Sequence, residues 1–152
     1  MFLAGIRAKV GAANVTYASD AAGVNVGDYD AVIAVIGETP YAEYEGDRPD
    51  SLGLDQTDLD TLATLKASGV PVIVVLVSGR PLDVSAQLGS WKALVAAWLP
   101  GSEGQGVADV LFGRTKPTGK LPMTWPASTS QEPVNDGDGR RPLYPFGYGL
   151  TY

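Results

Sequence analysis

The spacing of apolar and polar positions changes several times along the chain, and each change marks an element. Phe2, Leu3, Ile6 and Val10 recur at helical spacing before Gly11, so the opening reads as a short amphipathic helix with a glycine stop. Val15 to Ala18 reads as a short strand. Three later runs, Ala31 to Ile36, Val70 to Val77 and Ala93 to Trp98, are apolar almost without interruption and rich in Val, Ile and Ala, the pattern of strands covered on both faces. Between the first two, Leu59, Leu62, Ala63 and Leu65 form the apolar face of a helix from Asp55 to Ser68. Asp55 and Asp58 favour its first turn and Gly69 ends it. Ser102 and Gln105 resemble a capping box ahead of a second periodic stretch, Val107 to Phe112, that stops at Gly113. Leu121 to Trp125 reads as a last strand.

Strand and helix in alternation argue for an α/β fold, doubly wound, with a mostly parallel sheet sandwiched by helices, because parallel neighbours need a crossover. Ligands of such sheets sit beyond the carboxyl ends of the strands. Three segments fall there: Gly37 to Gly53, Ser78 to Asp83 and Pro100 to Glu103. Six of the 11 prolines lie between Pro117 and Tyr152, so the tail is expected to be irregular. The expected division is a sandwich over 1–126 and a tail over 127–152 wrapping the same domain.

Composition narrows the chemistry. At 152 residues, 45% hydrophobic and 18% charged, the chain has the makings of one packed domain. It contains no Cys and no His, which excludes a thiolate nucleophile, a Cys/His zinc site and an imidazole acid or base. Proton chemistry falls to carboxylates. The net charge is −6 and the 11 basic residues form no cluster beyond the Arg140-Arg141 pair, so no nucleic acid is expected as partner. Val70 to Val77 is far shorter than the roughly 20 residues of a membrane span, and no membrane association is expected. The first ten positions, with Arg7 and Lys9, do not read as a signal peptide. No cofactor and no metal site is expected.

The segment from Gly37 to Gly53 carries the candidate chemistry. From Glu38 to Asp60 there are eight acids and one base, Arg48. Crowded carboxylates raise one another's pKa, which is how a neutral acid persists near neutral pH. One reading is a general acid among Glu43, Glu45 and Glu38, beside tyrosines lining a sugar site; the other is a solvated acidic loop running into a helix N-terminus. Ser78-Gly79-Arg80-Pro81 either places Arg80 against these carboxylates or is a plain strand-end turn. The glycines from Gly101 to Gly106 lack the spacing of a dinucleotide fingerprint, and Glu103 would oppose an anion; capping and close helix packing account for them better. Asp136 to Gly139 lacks the ligand spacing of a calcium loop and reads as a turn. Trp91, Trp98 and Trp125 are open to sugar stacking, although Trp98 belongs to an apolar run and reads as core.

Taken in order, Gly37-Glu38, Tyr41-Ala42-Glu43, Gly46-Asp47-Arg48, Ser78-Gly79-Arg80-Pro81, Ala97 to Gly104, Gly119-Lys120-Leu121-Pro122, Thr124-Trp125-Pro126 and Phe146-Gly147-Tyr148-Gly149-Leu150 resemble the C-terminal α/β sandwich domain of family 3 glycoside hydrolases, of the β-glucosidase and exo-β-glucanase type. The resemblance implies a retaining enzyme whose aspartate nucleophile lies on an N-terminal (β/α)8 barrel and whose acid/base glutamate is lent by this domain. Glu43 falls at the acid/base position, with Glu45 as second choice. Tyr41 and Arg48 are expected to bind substrate, a β-glucoside or oligosaccharide, while Arg80 and Glu103 match positions read as architectural. The barrel and the first strand of the sandwich, expected ahead of the opening helix, are not in this sequence, so the isolated chain is expected to be inactive. A stand-alone carbohydrate-binding or docking module of the same fold is the alternative; a flavodoxin-like or nucleotide-binding domain has only the fold pattern in its favour.

Overall fold

The computed structural model describes residues 1–41, 48 and 51–152. Three parallel strands, β1 (Val32–Gly37), β2 (Val72–Val77) and β3 (Ala93–Ala96), form an open sheet in the order β1-β2-β3. Helix α1 (Phe2–Val10) precedes them, α2 (Gln56–Ala67) crosses from β1 to β2, the single turn α3 (Ser85–Leu88) precedes β3, and α4 (Gly104–Leu111) follows it. The fold is α/β. Among the described residues no helix is long and apolar enough to cross a membrane.

The register pairs Val32 with Val72, Ala34 with Val74 and Ile36 with Leu76, which in turn faces Ala96. Because side chains alternate across a strand, these residues share one face. That face builds the main core with Leu62 and Leu65 of α2. Leu59 is half-buried and Ala63 exposed, so the apolar stripe of α2 is narrower than its sequence implies. Trp125 closes the core at 1% exposure, its indole N–H donating to the Leu82 carbonyl at 2.8 Å. It meets Trp98 at a ring separation of 6.1 Å and Tyr144 edge-on at 6.4 Å. Trp125 and Trp98 are therefore part of the packing, and Trp125 has no face open for a sugar.

Several sequence expectations change in three dimensions. Val15 to Ala18 forms no strand among the described residues, and β1 has a strand neighbour on one side only. An extended segment becomes a strand only when a second one lies beside it at ladder distance. A groove lined by Tyr17, Ala18, Val24, Ile33 and Val35 runs there instead, and Val35 remains 43% exposed. Leu121 to Trp125 contributes a single antiparallel bridge, Trp125 to Tyr144, flanked by the Leu121 amide donating to the Tyr148 carbonyl at 2.8 Å. β3 stops at Ala96, and Trp98 adopts φ 53°, a left-handed conformation that ends the extended run.

The capping box expected at Ser102 and Gln105 does not form. α4 begins at Gly104 with Glu103 as its cap residue and no side-chain cap bond. The reason is the crossing with α1. A Cβ on Gly104 would lie 2.4 Å from the Met1 carbonyl carbon, and one on Gly5 would lie 2.9 Å from the Gly104 carbonyl oxygen and 3.0 Å from the Ala108 Cβ. Small residues bring the two helices into backbone contact, and Lys9 pairs with Asp109 beside the crossing. The Gly104→Ala variant is therefore expected to lose about 1–3 kcal/mol of stability, measured by urea unfolding. The α1 amides should lose hydrogen-exchange protection before those of β2.

Candidate functional site

All three strands point the same way, so their carboxyl ends share one edge of the sheet. Gly37 and Glu38 leave β1 there, Ser78 to Arg80 leave β2, and Trp98 and Leu99 follow β3. A Cβ on Gly37 would stand 1.8 Å from the Val77 carbonyl oxygen, so only glycine fits, and the next amide, that of Glu38, donates to the same oxygen at 3.1 Å. Ser78, 2% exposed, shapes the neighbouring turn by donating its hydroxyl to the Arg80 carbonyl at 2.7 Å.

This backbone holds the Glu38 carboxylate in a buried position, with the side chain 8% exposed. Its Oε1 accepts from Arg48 Nη2 and from Arg80 Nε, each at 3.0 Å. The Arg80 guanidinium also lies 4.6 Å from the centroid of the Tyr41 ring, within cation–π range. Tyr41 itself is half exposed, and Leu99 is 72% exposed beside Gly79. Downstream, Gly53 bridges to Asp83, and Asp83 accepts from the Thr129 amide at 2.9 Å. Both ends of the acidic segment are thus anchored to β2's turn.

Of the sequence-predicted residues, Tyr41, Arg48, Arg80 and Glu38 come together here. Glu38, one of three candidate acids, is enclosed by guanidinium groups, and Arg48 and Tyr41 are linked to it directly and through Arg80. Glu43 and Glu45 lie outside the described residues. Trp91 and Trp125 are elsewhere, and Asp136 to Gly139 is a turn, with Asp138 accepting from the Asn135 and Arg140 amides at 2.8 and 2.9 Å. Among the described residues no cluster of acidic side chains suits a metal ion.

One contact was not foreseeable from spacing. Asp55 caps α2 by accepting from the Asp58 amide at 2.8 Å, but the Asp58 carboxylate does not return the bond to Asp55; it accepts from the Gly37 amide at 3.1 Å and so ties α2 to the end of β1. Burial raises the Asp58 carboxyl pKa from its ordinary value; the Gly37 hydrogen bond opposes this, and the nearby Asp55 charge adds to it.

The whole chain, residues 1–152, matches the glycosyl hydrolase family 3 C-terminal domain. The protein belongs to this family as a C-terminal domain. Over 146 residues it is 36% identical to a periplasmic beta-glucosidase of Salmonella typhimurium, covering 81% of this chain and 19% of that one. It is 34% identical over 139 residues to a beta-xylosidase of Formosa agariphila, with 81% and 19% covered. Among solved structures, an exo-1,3/1,4-beta-glucanase from a Pseudoalteromonas species superposes with a TM-score of 0.74 at 47% identity, covering 80% of this chain and 21% of that one. The beta-glucosidase of Listeria innocua gives 0.75 at 31% identity, with 84% and 21% covered. The chain thus spans about a fifth of the length of these relatives.

The raised Asp58 pKa has a measurable sign. A carboxyl with a folded pKa above its unfolded one holds its proton more tightly in the folded state. Its contribution to stability is then greatest below the unfolded pKa and declines as pH rises through the folded one. Asp58→Asn keeps an acceptor for the Gly37 amide and cannot ionise. Its stability relative to the native chain, from urea unfolding at several pH values, is expected to increase as pH rises through the carboxylate range; a flat difference would contradict the burial effect.

Proposed function

We propose that this domain supplies the acid/base glutamate of a retaining β-glucosidase or exo-β-glucanase and acts together with an N-terminal (β/α)8 barrel that carries the nucleophile. The observation that supports this most is the acidic segment anchored at the carboxyl edge of the sheet by Glu38, Arg48 and Arg80. This is where an α/β sheet offers its functional loops. The membership in family 3 and the 47% identity to an exo-glucanase domain favour glucosyl substrates. We read 1–126 as the sandwich and 127–152 as its tail.

In this reading Glu43, or failing it Glu45, gives its proton to the glycosidic oxygen while the C1–O bond breaks and an aspartate of the barrel bonds to C1. Water then attacks C1, loses its proton to the glutamate and releases the aspartate. Retention needs the two carboxyls about 5–5.5 Å apart, so the loop has to reach across a domain boundary. Tyr41 and Arg48, on either side of these glutamates in the sequence, are the proposed sugar contacts. The groove along β1 is the proposed seat of the strand that precedes α1 in the sandwich.

Two experiments test this. Activity toward an alkyl β-glucoside, obtained with the barrel domain present, should fall about 10²–10⁴-fold in Glu43→Ala, the range of a lost general acid. Unchanged activity refutes the assignment, and tight binding of laminari-oligosaccharides by the domain alone supports a binding module instead. Extending the chain upstream by the expected strand should raise its thermal midpoint, because the strand covers an open ladder edge and the apolar groove beside it.

A further inference from the structure

We infer that the outer edge of β1 accepts one extended, apolar strand from a separate polypeptide, with Asp58 marking where that strand ends; this rests on the reading above of the groove as a strand seat. The backbone bonds of β1 give the reason. Val32 donates to the Pro71 carbonyl at 2.9 Å and Glu38 to the Val77 carbonyl at 3.1 Å, so alternate residues from Val32 onward face β2. Successive peptide groups of an extended chain point to opposite edges, so Ile33, Val35 and Gly37 turn their N–H groups outward. At Gly37 that donor is already met, because Asp58 Oδ2 accepts from it at 3.1 Å. Among the described residues no backbone group pairs with the outward groups of Ile33 and Val35. The open ladder therefore runs up to Gly37 and stops.

The opposite wall of the groove is also extended chain without a ladder. Val15 has φ −128° and ψ 111°, and among the described residues the amides of Thr16, Tyr17 and Ala18 make no backbone bond. The Tyr29 hydroxyl donates to Thr16 Oγ1 at 2.6 Å and ties this wall to the approach to β1. The space between belongs to a cavity of about 1910 Å³, far beyond the water-sized voids of a packed interior. Leu3 and Ile6 of α1 and Leu65 of α2 line the same cavity. A segment lying there meets apolar side chains from both helices, so it has to be apolar on both faces, as β1 itself is. The wall stands between β1 and the β1 edge of any second copy, whereas a single extended chain reaches it along the groove. Strand addition draws its affinity from main-chain bonds and its selectivity from alternate side chains, so it requires no covalent link to this chain.

The test uses the whole chain and a capped peptide, Val-Ile-Ala-Val-Ile with a Ser-Lys pair at each end for solubility, which copies the apolar run of β1. At a peptide concentration about ten times Kd, amide exchange at Ile33 and Val35, read by NMR, should slow about tenfold. The Gly37 amide, already bonded, should slow with peptide only in Asp58→Ala. Val-Ile-Pro-Val-Ile between the same ends lacks the central N–H and should give no protection. Val35→Asp, at a position 43% exposed, should abolish binding while the β2 amides stay protected. No slowing at Ile33 and Val35, or equal binding of the proline peptide, would overturn the inference. So would protection that grows with protein concentration in the absence of peptide, since the occupant is then a second copy. Slowing at Gly37 in the native chain, or none in Asp58→Ala, would overturn the role of Asp58. If the upstream extension raises the thermal midpoint and the peptide fails, the seat stands and acceptance from a separate polypeptide fails. If neither has an effect, the seat fails with it.

Discussion

A carboxylate withdrawn from water costs several kcal/mol unless charged donors meet it, and the site depends on how this cost is met at Glu38. One donor comes from the turn after β2 and the other from the far end of the segment that Glu38 begins. The first of these is brought within reach by the parallel, in-register pairing of β1 and β2. Parallel pairing of Gly37 with Val77 puts both strand ends level. The absence of a side chain at Gly37 lets them close, and Arg80 then reaches across by its own length. Sheet topology, a single glycine and a buried charge are successive conditions for the same contact.

The packing that supports this edge is uneven. One face of the sheet is filled by α2 and the Trp125 cluster, with Val74 and Leu76 wholly buried. Among the described residues no strand lies on the outer edge of β1, and Val35 is exposed. On the other side of the chain α1 and α4 meet through glycine and alanine, a contact whose worth lies in close backbone approach and not in apolar area. Asp58 links α2 to the end of β1: its carboxylate accepts from the Gly37 amide, and Asp55 caps the helix.

Much of the architecture was legible in the sequence because burial on both faces leaves an unmistakable record. Val70 to Val77 has one reading as a strand, and the cap residue Asp55 and stop at Gly69 bound α2 to within a residue. The misreadings are of one kind. Val15 to Ala18 has strand propensity but no described partner; Ser102 and Gln105 have cap chemistry, but the approach of Met1 decides where α4 starts; Ser85 to Leu88 is too short for periodicity to reveal. Trp98 at a left-handed φ has no local signal at all, since a tryptophan there is held by its neighbours.

The candidate site divides in the same way. The sequence by itself determined that any proton chemistry belongs to carboxylates, that these crowd one loop, and that the loop leaves a buried parallel strand, because composition and apolar runs are properties of the chain. Only the tertiary structure decided that Glu38 is the enclosed carboxylate, that Arg48 and Arg80 share one of its oxygens, and that Trp125 is packing. Burial and hydrogen bonding are settled between residues from separate segments of the chain, and no spacing along it encodes which of several like charges will be taken out of water.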